Sequence, residues 1–468
     1  MDRRTFVTHL TAGGLALACG GMLRRAELFA QTGDPSRLRS EGYGELVPTA
    51  TANTGETYLA LPNGFRYNVI GKVRVKMADG RPTPPLHDGM AAFKVGGELR
   101  VVRNHEVVGG KIPQPNSAIA LQNSYDEACG GGTTTLVVDP QTREIKRDFV
   151  SLSGTMINCC GGPTPWGSWI SCEETTLGPT VRTGPTGLKT GGFAKPHGYC
   201  FEVPASANSN VPAVPLKDMG RFTHEAIAVD KRTGIVYLTE DFDPCGFYRF
   251  VPNRNARLSL GGTLQILAVA VKPDYDTRRG QKMGTSFAAS WVTIDNPDPE
   301  SADVDPLAVF KQGKAKGAAS FARLEGCCAD AKGNIYFSST NGGDNRGGQI
   351  WLYEPANKDG GRLTLVFESP DREVLDMPDN LCVRPGTGHL FICEDSDYVG
   401  AGGSPENFIR ILAPDGRMAC LAKNVTPNMT RAEFAGATFS KDGKTLFVNI
   451  QQIGATFAIW GPWDAFGA

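Results

Sequence analysis

Ala226-Ile227-Ala228-Val229-Asp230, then Gly234 and Ile235-Val236-Tyr237-Leu238-Thr239-Glu240-Asp241, read as strand, tight turn, strand. Apolar and β-branched residues fill both arms and an Asp followed by a Gly marks the turn, which is β-hairpin chemistry. The pattern recurs downstream. Cys327-Cys328-Ala329-Asp330 turns at Gly333 into Ile335-Tyr336-Phe337-Ser338-Ser339-Thr340-Asn341. Leu381-Cys382-Val383-Arg384 turns through Gly386 and Gly388 into Leu390-Phe391-Ile392-Cys393-Glu394-Asp395. Ala437-Thr438-Phe439-Ser440 turns at Asp442-Gly443 into Leu446-Phe447-Val448-Asn449-Ile450-Gln451. Two weaker copies lie upstream. Met90-Ala91-Ala92-Phe93-Lys94 leads through Gly96-Gly97 to Leu99-Arg100-Val101-Val102-Arg103-Asn104-His105-Glu106, and Cys159-Cys160-Gly161-Gly162 leads through Pro165-Trp166-Gly167 to Ser168-Trp169-Ile170-Ser171-Cys172-Glu173-Glu174. Further strand-like runs lie between them, at 134–138 and 348–353. Two hairpins per unit make a four-stranded blade, so the repeats predict an all-β fold, a six-bladed β-propeller with loop and short helical insertions near 175–198 and 253–315. A two-domain β-sandwich protein is the alternative.

Composition agrees. Gly (57) and Pro (31) make about 19% of the 468 residues, above the usual ~12% and below the ~25–30% of low-complexity disorder. The chain therefore folds and is rich in turns. Its 48 basic and 49 acidic residues leave a net charge of -1, which argues against a nucleic-acid or polybasic membrane partner.

Residues 1–30 read as an address. Arg3-Arg4-Thr5-Phe6 precedes a short glycine-bearing apolar run, Leu10 to Leu23, which looks like a twin-arginine export signal. The run is too short and weakly apolar for a comfortable span of ~20 residues; a buried helix or an uncleaved anchor is the other reading. Export predicts a periplasmic or secreted protein whose mature part, 31–468, is one catalytic propeller, with the twin-arginine machinery as its partner and a monomer as its state. Removing 1–30 takes away four Arg and two acids and shifts the net charge from -1 to -3. Eleven of twelve Cys remain, an odd number, so disulfides cannot pair them all.

The second strand of every hairpin ends in polar residues: Asn104-His105-Glu106, Glu173-Glu174, Glu240-Asp241, Asn341, Glu394-Asp395, Asn449 and Gln451. First strands begin with Cys159, Glu225, Glu325 and Asn380. In a hairpin these ends are neighbours, and equivalent ends of all blades share one face of a propeller. So many carboxylates at one mouth need cations to offset their repulsion, which implies a metal site. Asn104, Glu106, Glu173, Glu174, Glu225, Glu325, Glu394 and Asp395 are the oxygen candidates and favour hard cations, Ca2+ and Fe3+. Six His in total, with no His-Glu-x-x-His, Cys-x-x-Cys, phosphate loop or Gly-x-Ser-x-Gly, give no sign of other catalytic chemistries. Arg323 and Glu325, two apart on a strand, share a face, either as a surface ion pair or as an anion-binding Arg beside a ligating Glu.

At these residues the chain resembles the PhoX-type alkaline phosphatases, exported bacterial propellers that bind calcium and iron. The resemblance is carried by Asn104-His105-Glu106, by Asn158-Cys159-Cys160-Gly161-Gly162 with Thr164-Pro165-Trp166-Gly167-Ser168-Trp169 and Cys172-Glu173-Glu174, and by His224-Glu225-Ala226. It continues through Glu240-Asp241-Phe242, Phe247-Tyr248-Arg249-Phe250, Phe321-Ala322-Arg323-Leu324-Glu325-Gly326, Pro378-Asp379-Asn380-Leu381, Glu394-Asp395 and Gly461-Pro462-Trp463. It implies a ferric iron and calcium cluster held by Cys159, a Glu of the Cys-Glu-Glu block, Glu225 and Glu325. Arg323 would bind phosphate, and acids near Glu394-Asp395 would hold calcium. The implied catalytic group is Arg323, Cys159 and Glu325. Cys160 stands where the family pattern has a small residue, which leaves two thiols to choose between. The expected activity is hydrolysis of small phosphate esters. The rivals are a calcium-dependent lactonase-like hydrolase and a non-catalytic calcium-binding propeller.

Overall fold

Asp230 shows how the hairpins are made. Its carboxylate accepts from the Arg232 amide at 2.9 Å and the Thr233 hydroxyl at 2.8 Å, while Gly234 turns the chain at φ +75°. Asp330 repeats the device on the amides of Lys332 and Asn334, with Gly333 at φ +86°. These side-chain-to-backbone bonds fix the turn and hence the strand register.

The computed structural model describes residues 42–107, 122–183, 189–356, 360–399, 403 and 405–466; the expected export signal lies outside them. The fold is all-β. One sheet runs His87–Val95, Glu98–His105, Gly131–Val138, Ile145–Thr155, and the next runs Asn158–Pro163, Ser168–Glu173, Cys200–Pro204. A nine-stranded sheet begins at His224–Val229, passes outward through Val236–Glu240, Phe247–Pro252 and Gly262–Val269, and crosses Ser286–Thr293. It then returns through Gly361–Glu368, Gln349–Pro355 and Ile335–Ser339 to Leu324–Ala329. Two four-stranded units are thus welded by one shared outer strand. The 253–315 region, expected as an insert, supplies two of these outer strands besides the short helix Ala308–Lys314. Among its described residues, the 175–198 region carries only the two-residue strands Arg182–Thr183 and Lys189–Thr190.

The last two sheets close the molecule. Pro378–Val383, Leu390–Glu394, Phe408–Leu412 and Met418–Asn424 accept Thr57–Pro62 and Leu46–Ala50 at their edge. Phe434–Phe439, Leu446–Ile450 and Ala455–Trp460 accept Arg66–Lys72. N-terminal strands therefore complete C-terminal sheets. The first strand of each unit packs on that of the next, from His87–Val95 round to Phe434–Phe439, which packs back on His87–Val95. This propeller-like ring, rather than two sandwiches, positions the site. Apolar side chains fill the gaps between the four-stranded units, as where Phe247 stacks on Phe337 at 4.1 Å across the two halves of the nine-stranded sheet.

Candidate metal centre

Each inner strand breaks register near its start. The pairing slips between His87 and Met90, Asn158 and Gly161, His224 and Ile227, Leu324 and Cys327, Pro378 and Leu381, and Ala435 and Thr438. A bulge re-aims side chains. Here it sets Asp88, Cys159, Glu225, Glu325 and Asp379 at one equivalent position around the ring. The returning strand is tied to the inner one by an equivalent bond in every unit. The amides of Glu106, Glu174, Asp241, Thr340, Asp395 and Gln451 donate to the carbonyls of Leu86, Ile157, Thr223, Arg323, Met377 and Glu433 at 3.0, 2.9, 3.0, 2.9, 3.1 and 3.2 Å.

The ligand atoms of Glu106, Cys159 and Glu174 lie within 4.8 Å of one another, as do those of Asp88, Glu106 and Glu433, and those of Glu174, Glu225 and Glu325. The three groups share members and form one continuous cluster. Gln451 Nε2 donates to Asp88 Oδ2 and Glu106 Oε2, each at 2.6 Å. Arg323 sits among these acids. Its Nε and Nη2 grip Asp241 at 3.0 and 2.9 Å and Nη2 also reaches Glu325 at 2.8 Å. Its backbone sits at φ +42°, a strained conformation for a non-glycine residue.

Burial first, and then mutual repulsion, hold these acids on their protons. Burial followed by Glu325 and Asp379 raises Glu225 well above the usual carboxyl range, and burial followed by Asp241 raises Glu325. Asp88, Glu174, Asp379 and Glu433 shift the same way, and Glu106 rises to about 7. Burial, then Asp88 and Glu225, pushes the Cys159 thiol up. Glu225 Oε2 is buried with no hydrogen-bond partner. An orphaned carboxylate oxygen facing other acids and a thiol is the donor set a multivalent cation completes, so these residues fit a metal cluster.

The structure separates the sequence candidates. Cys159, Glu106, Glu174, Glu225 and Glu325 come together; Asp395 lies beside Glu433 and shares a hydrogen bond with it. Glu173, Glu394 and Asn104 do not join them. In each acidic doublet the first residue still belongs to the strand and faces the wall, because strand side chains alternate. Glu394 is spent on Arg410 at 2.8 Å. Glu173 binds His197 Nδ1 at 2.6 Å and the amides of Met156, Gly198 and Tyr199. The Asn104 amide donates to the Cys159 and Cys160 carbonyls at 3.1 and 2.6 Å and accepts from Trp169 and Ser171 at 2.8 and 2.9 Å. It braces the thiol-bearing strand and has no lone pair to spare for a metal. Cys160 turns into an apolar cluster with Ala226, Phe247 and Phe321.

Sequence reasoning missed Asp88 and Glu433; it placed Asp241 and Gln451 at the strand ends and quoted Asp379 in the family pattern without choosing them as site residues. Asp88 and Asp379 were readable as register equivalents of Cys159 and Glu225. Glu433 carries no such signal, since it stands one residue ahead of its strand.

The family model described as Alkaline phosphatase PhoX matches residues 42–454. The chain belongs to the PhoX alkaline phosphatase family. The match spans the whole ring of inner strands and every acid of the cluster. No curated protein matches this PhoX-family sequence. Among solved structures, a gluconolactonase from Xanthomonas campestris is similar at 11% identity and a TM-score of 0.43, over 90% of this chain and 100% of that one. A Bacteroides thetaiotaomicron protein of unknown function is similar at 10% identity and a TM-score of 0.42, over 85% and 76%. Among the described residues, no helix is long and apolar enough to cross a membrane.

Proposed function

We propose that this PhoX-family chain is an exported phosphomonoesterase working at an iron–calcium cluster in the mouth of a six-bladed propeller. The observation that carries the reading is the continuous cluster from Glu433 through Asp88, Glu106, Cys159 and Glu174 to Glu225 and Glu325. Cys159 with Glu106 and Glu174 suits ferric iron, which accepts both thiolate and hard oxygen donors. The all-oxygen groups around Asp88, Glu433 and Glu325, extended by Asp395, suit calcium. When bound, such ions place positive charge where a transferring phosphoryl group spreads negative charge.

The chain's own residues do the rest. Asp241 and Glu325 outweigh the burial that opposes the Arg323 charge, and they fix the guanidinium plane. Because Asp241 takes the Nε–Nη2 edge, the substrate phosphate would meet Nη1. Gln451 holds Asp88 and Glu106 together, which keeps the oxygen donors converged. The six inner strands, each with its bulge, support the blade count. Export by the twin-arginine route rests on Arg3-Arg4 and the apolar run after them.

Element analysis of purified protein, run beside a panel of phosphate monoesters and lactones, tests the proposal. Iron and calcium together with phosphate release are expected. Calcium alone with lactone opening would replace this reading by the lactonase one. Bound metal without turnover of any ester would leave a binding propeller.

A further inference from the structure

Behind the mouth, on the wall side of the Ser168–Glu173 strand, Asp126, Cys129 and His197 form a second buried group whose ligand atoms lie within 4.8 Å of one another. His197 Nε2 is 3.3 Å from Cys129 Sγ and 3.7 Å from Asp126 Oδ2. The longer distance exceeds a hydrogen bond. Both are the separations of two ligands on one tetrahedral ion with bonds of about 2.0–2.3 Å, roughly 3.3–3.8 Å. The other ring nitrogen, Nδ1, meets Glu173 Oε1 at 2.6 Å, and three backbone amides pin that carboxylate. A carboxylate on the far nitrogen fixes the tautomer that leaves Nε2 free to ligate. Amides of Ala128, Ala194 and Lys195 likewise orient Asp126. Cys129 and His197 are 1% and 0% exposed, so the Cys–His–Glu order cannot serve as a nucleophilic triad toward a substrate. Met156 and Phe193 close the apolar side.

We infer that Asp126, Cys129 and His197 bind a zinc ion, with Glu173 as the positioning residue behind His197. The mixed sulfur, nitrogen and oxygen set is what a borderline-soft divalent ion selects, in contrast to the oxygen-rich mouth. The site would join the 122–131 segment to the edge of the Cys200–Pro204 strand and is independent of the activity proposed above. Because it is sealed, the ion would enter as the chain folds.

The test uses full-length Cys159→Ala protein, so that the mouth supplies no thiolate. It is unfolded in denaturant with chelator, freed of metal, and refolded with Co2+ or with Zn2+ present. One equivalent of cobalt at refolding should give a near-ultraviolet thiolate charge-transfer band and the intense visible bands of a tetrahedral ion, and refolding with zinc in its place should leave the protein without them. The band should vanish in Cys129→Ala/Cys159→Ala. Glu173→Gln should weaken zinc binding by about 10- to 100-fold. X-ray absorption of the zinc-loaded Cys159→Ala protein should show one sulfur and one imidazole, and it decides the matter if the double variant does not fold. A folded Cys159→Ala protein without the band, a band that survives loss of Cys129, or an all-oxygen shell would each overturn the site.

Discussion

Cys159 Sγ meets Glu106 and Glu174, whereas the next thiol, Cys160, packs among Ala226, Phe247 and Phe321. One peptide step, within the bulge between Asn158 and Gly161, separates the thiol that joins the acids from the one that joins the apolar cluster. If the cluster holds iron as proposed, Cys159→Ala should strip it, bleach a thiolate-to-iron visible band and remove most activity. Cys160→Ala should keep the colour and cost about 1 kcal/mol in unfolding free energy. Paired absorption spectra and thermal melts check this, and the reverse pattern would reassign the ligand. Arg323 is the other decisive side chain. Lys cannot grip Asp241 through two nitrogens and also present a third donor to the mouth. Arg323→Lys should lower kcat/KM about 100-fold or more, roughly the ~3 kcal/mol of a lost charge-assisted contact, and weaken inhibition by free phosphate. Undiminished phosphate inhibition would reduce Arg323 to an ion-pair partner of Asp241 and Glu325.

At the scale of the strand, the bulges work only because neighbouring inner strands come very close. A Cβ on Gly89 would stand 2.5 Å from Cys160 Cα, and one on Gly326 would stand 2.4 Å from the Asp379 carbonyl oxygen. Neither obstacle is a flexible side-chain tip, so the strands themselves would have to part. Gly89→Ala is expected to cost about 1–3 kcal/mol or more, as overpacking does, and to lower bound metal, because Asp88 and Cys159 flank the clash. Gly97, in the turn of the same hairpin, has open space where its Cβ would be. Gly97→Ala should stay within about 0.5 kcal/mol of the parent. Denaturant melts and metal counts on both variants make the comparison; equal effects would mean that the ring is not tightly closed at Gly89.

For the molecule as a whole, the ring gathers more buried acid than Arg323 can neutralise, so its stability should depend on pH and cations together. A carboxyl raised from 4.5 to about 7, as Glu106 is, keeps its proton in the folded state and loses it in the unfolded one between those values. Each such group makes metal-free stability fall by about 1.4 kcal/mol per pH unit as pH rises through that window, and the stability it confers is intact only below it. Asp88, Glu174, Glu225, Glu325, Asp379 and Glu433 extend the loss in the same direction. On the proposed reading, calcium would bind the ionised forms and cancel the trend. Melting temperatures of chelated, desalted protein should therefore drop from about pH 5 to pH 8, and added calcium should restore both stability and activity at the alkaline end. The same pH trend with and without calcium would separate the cluster from cation binding.

The hairpins, their Asp–Gly turns and the acidic doublets at the strand ends were legible in the sequence, because a turn and a two-residue alternation are local properties. That Cys159, Glu225 and Glu325 belong to one mouth could be read from their shared register. Which member of a doublet faces the mouth was not legible. Each doublet straddles the end of its strand, and residue types do not mark where a strand stops; Glu173 and Glu394 are the last strand residues and turn to the wall. The remaining partners depend on closure. Gln451 meets Asp88 across 363 positions of chain, and His197 meets Asp126 and Cys129 from a different strand connection. The first contact exists only once N-terminal and C-terminal strands pair and the ring shuts, and the second only once neighbouring sheets pack, so only the tertiary structure decided them.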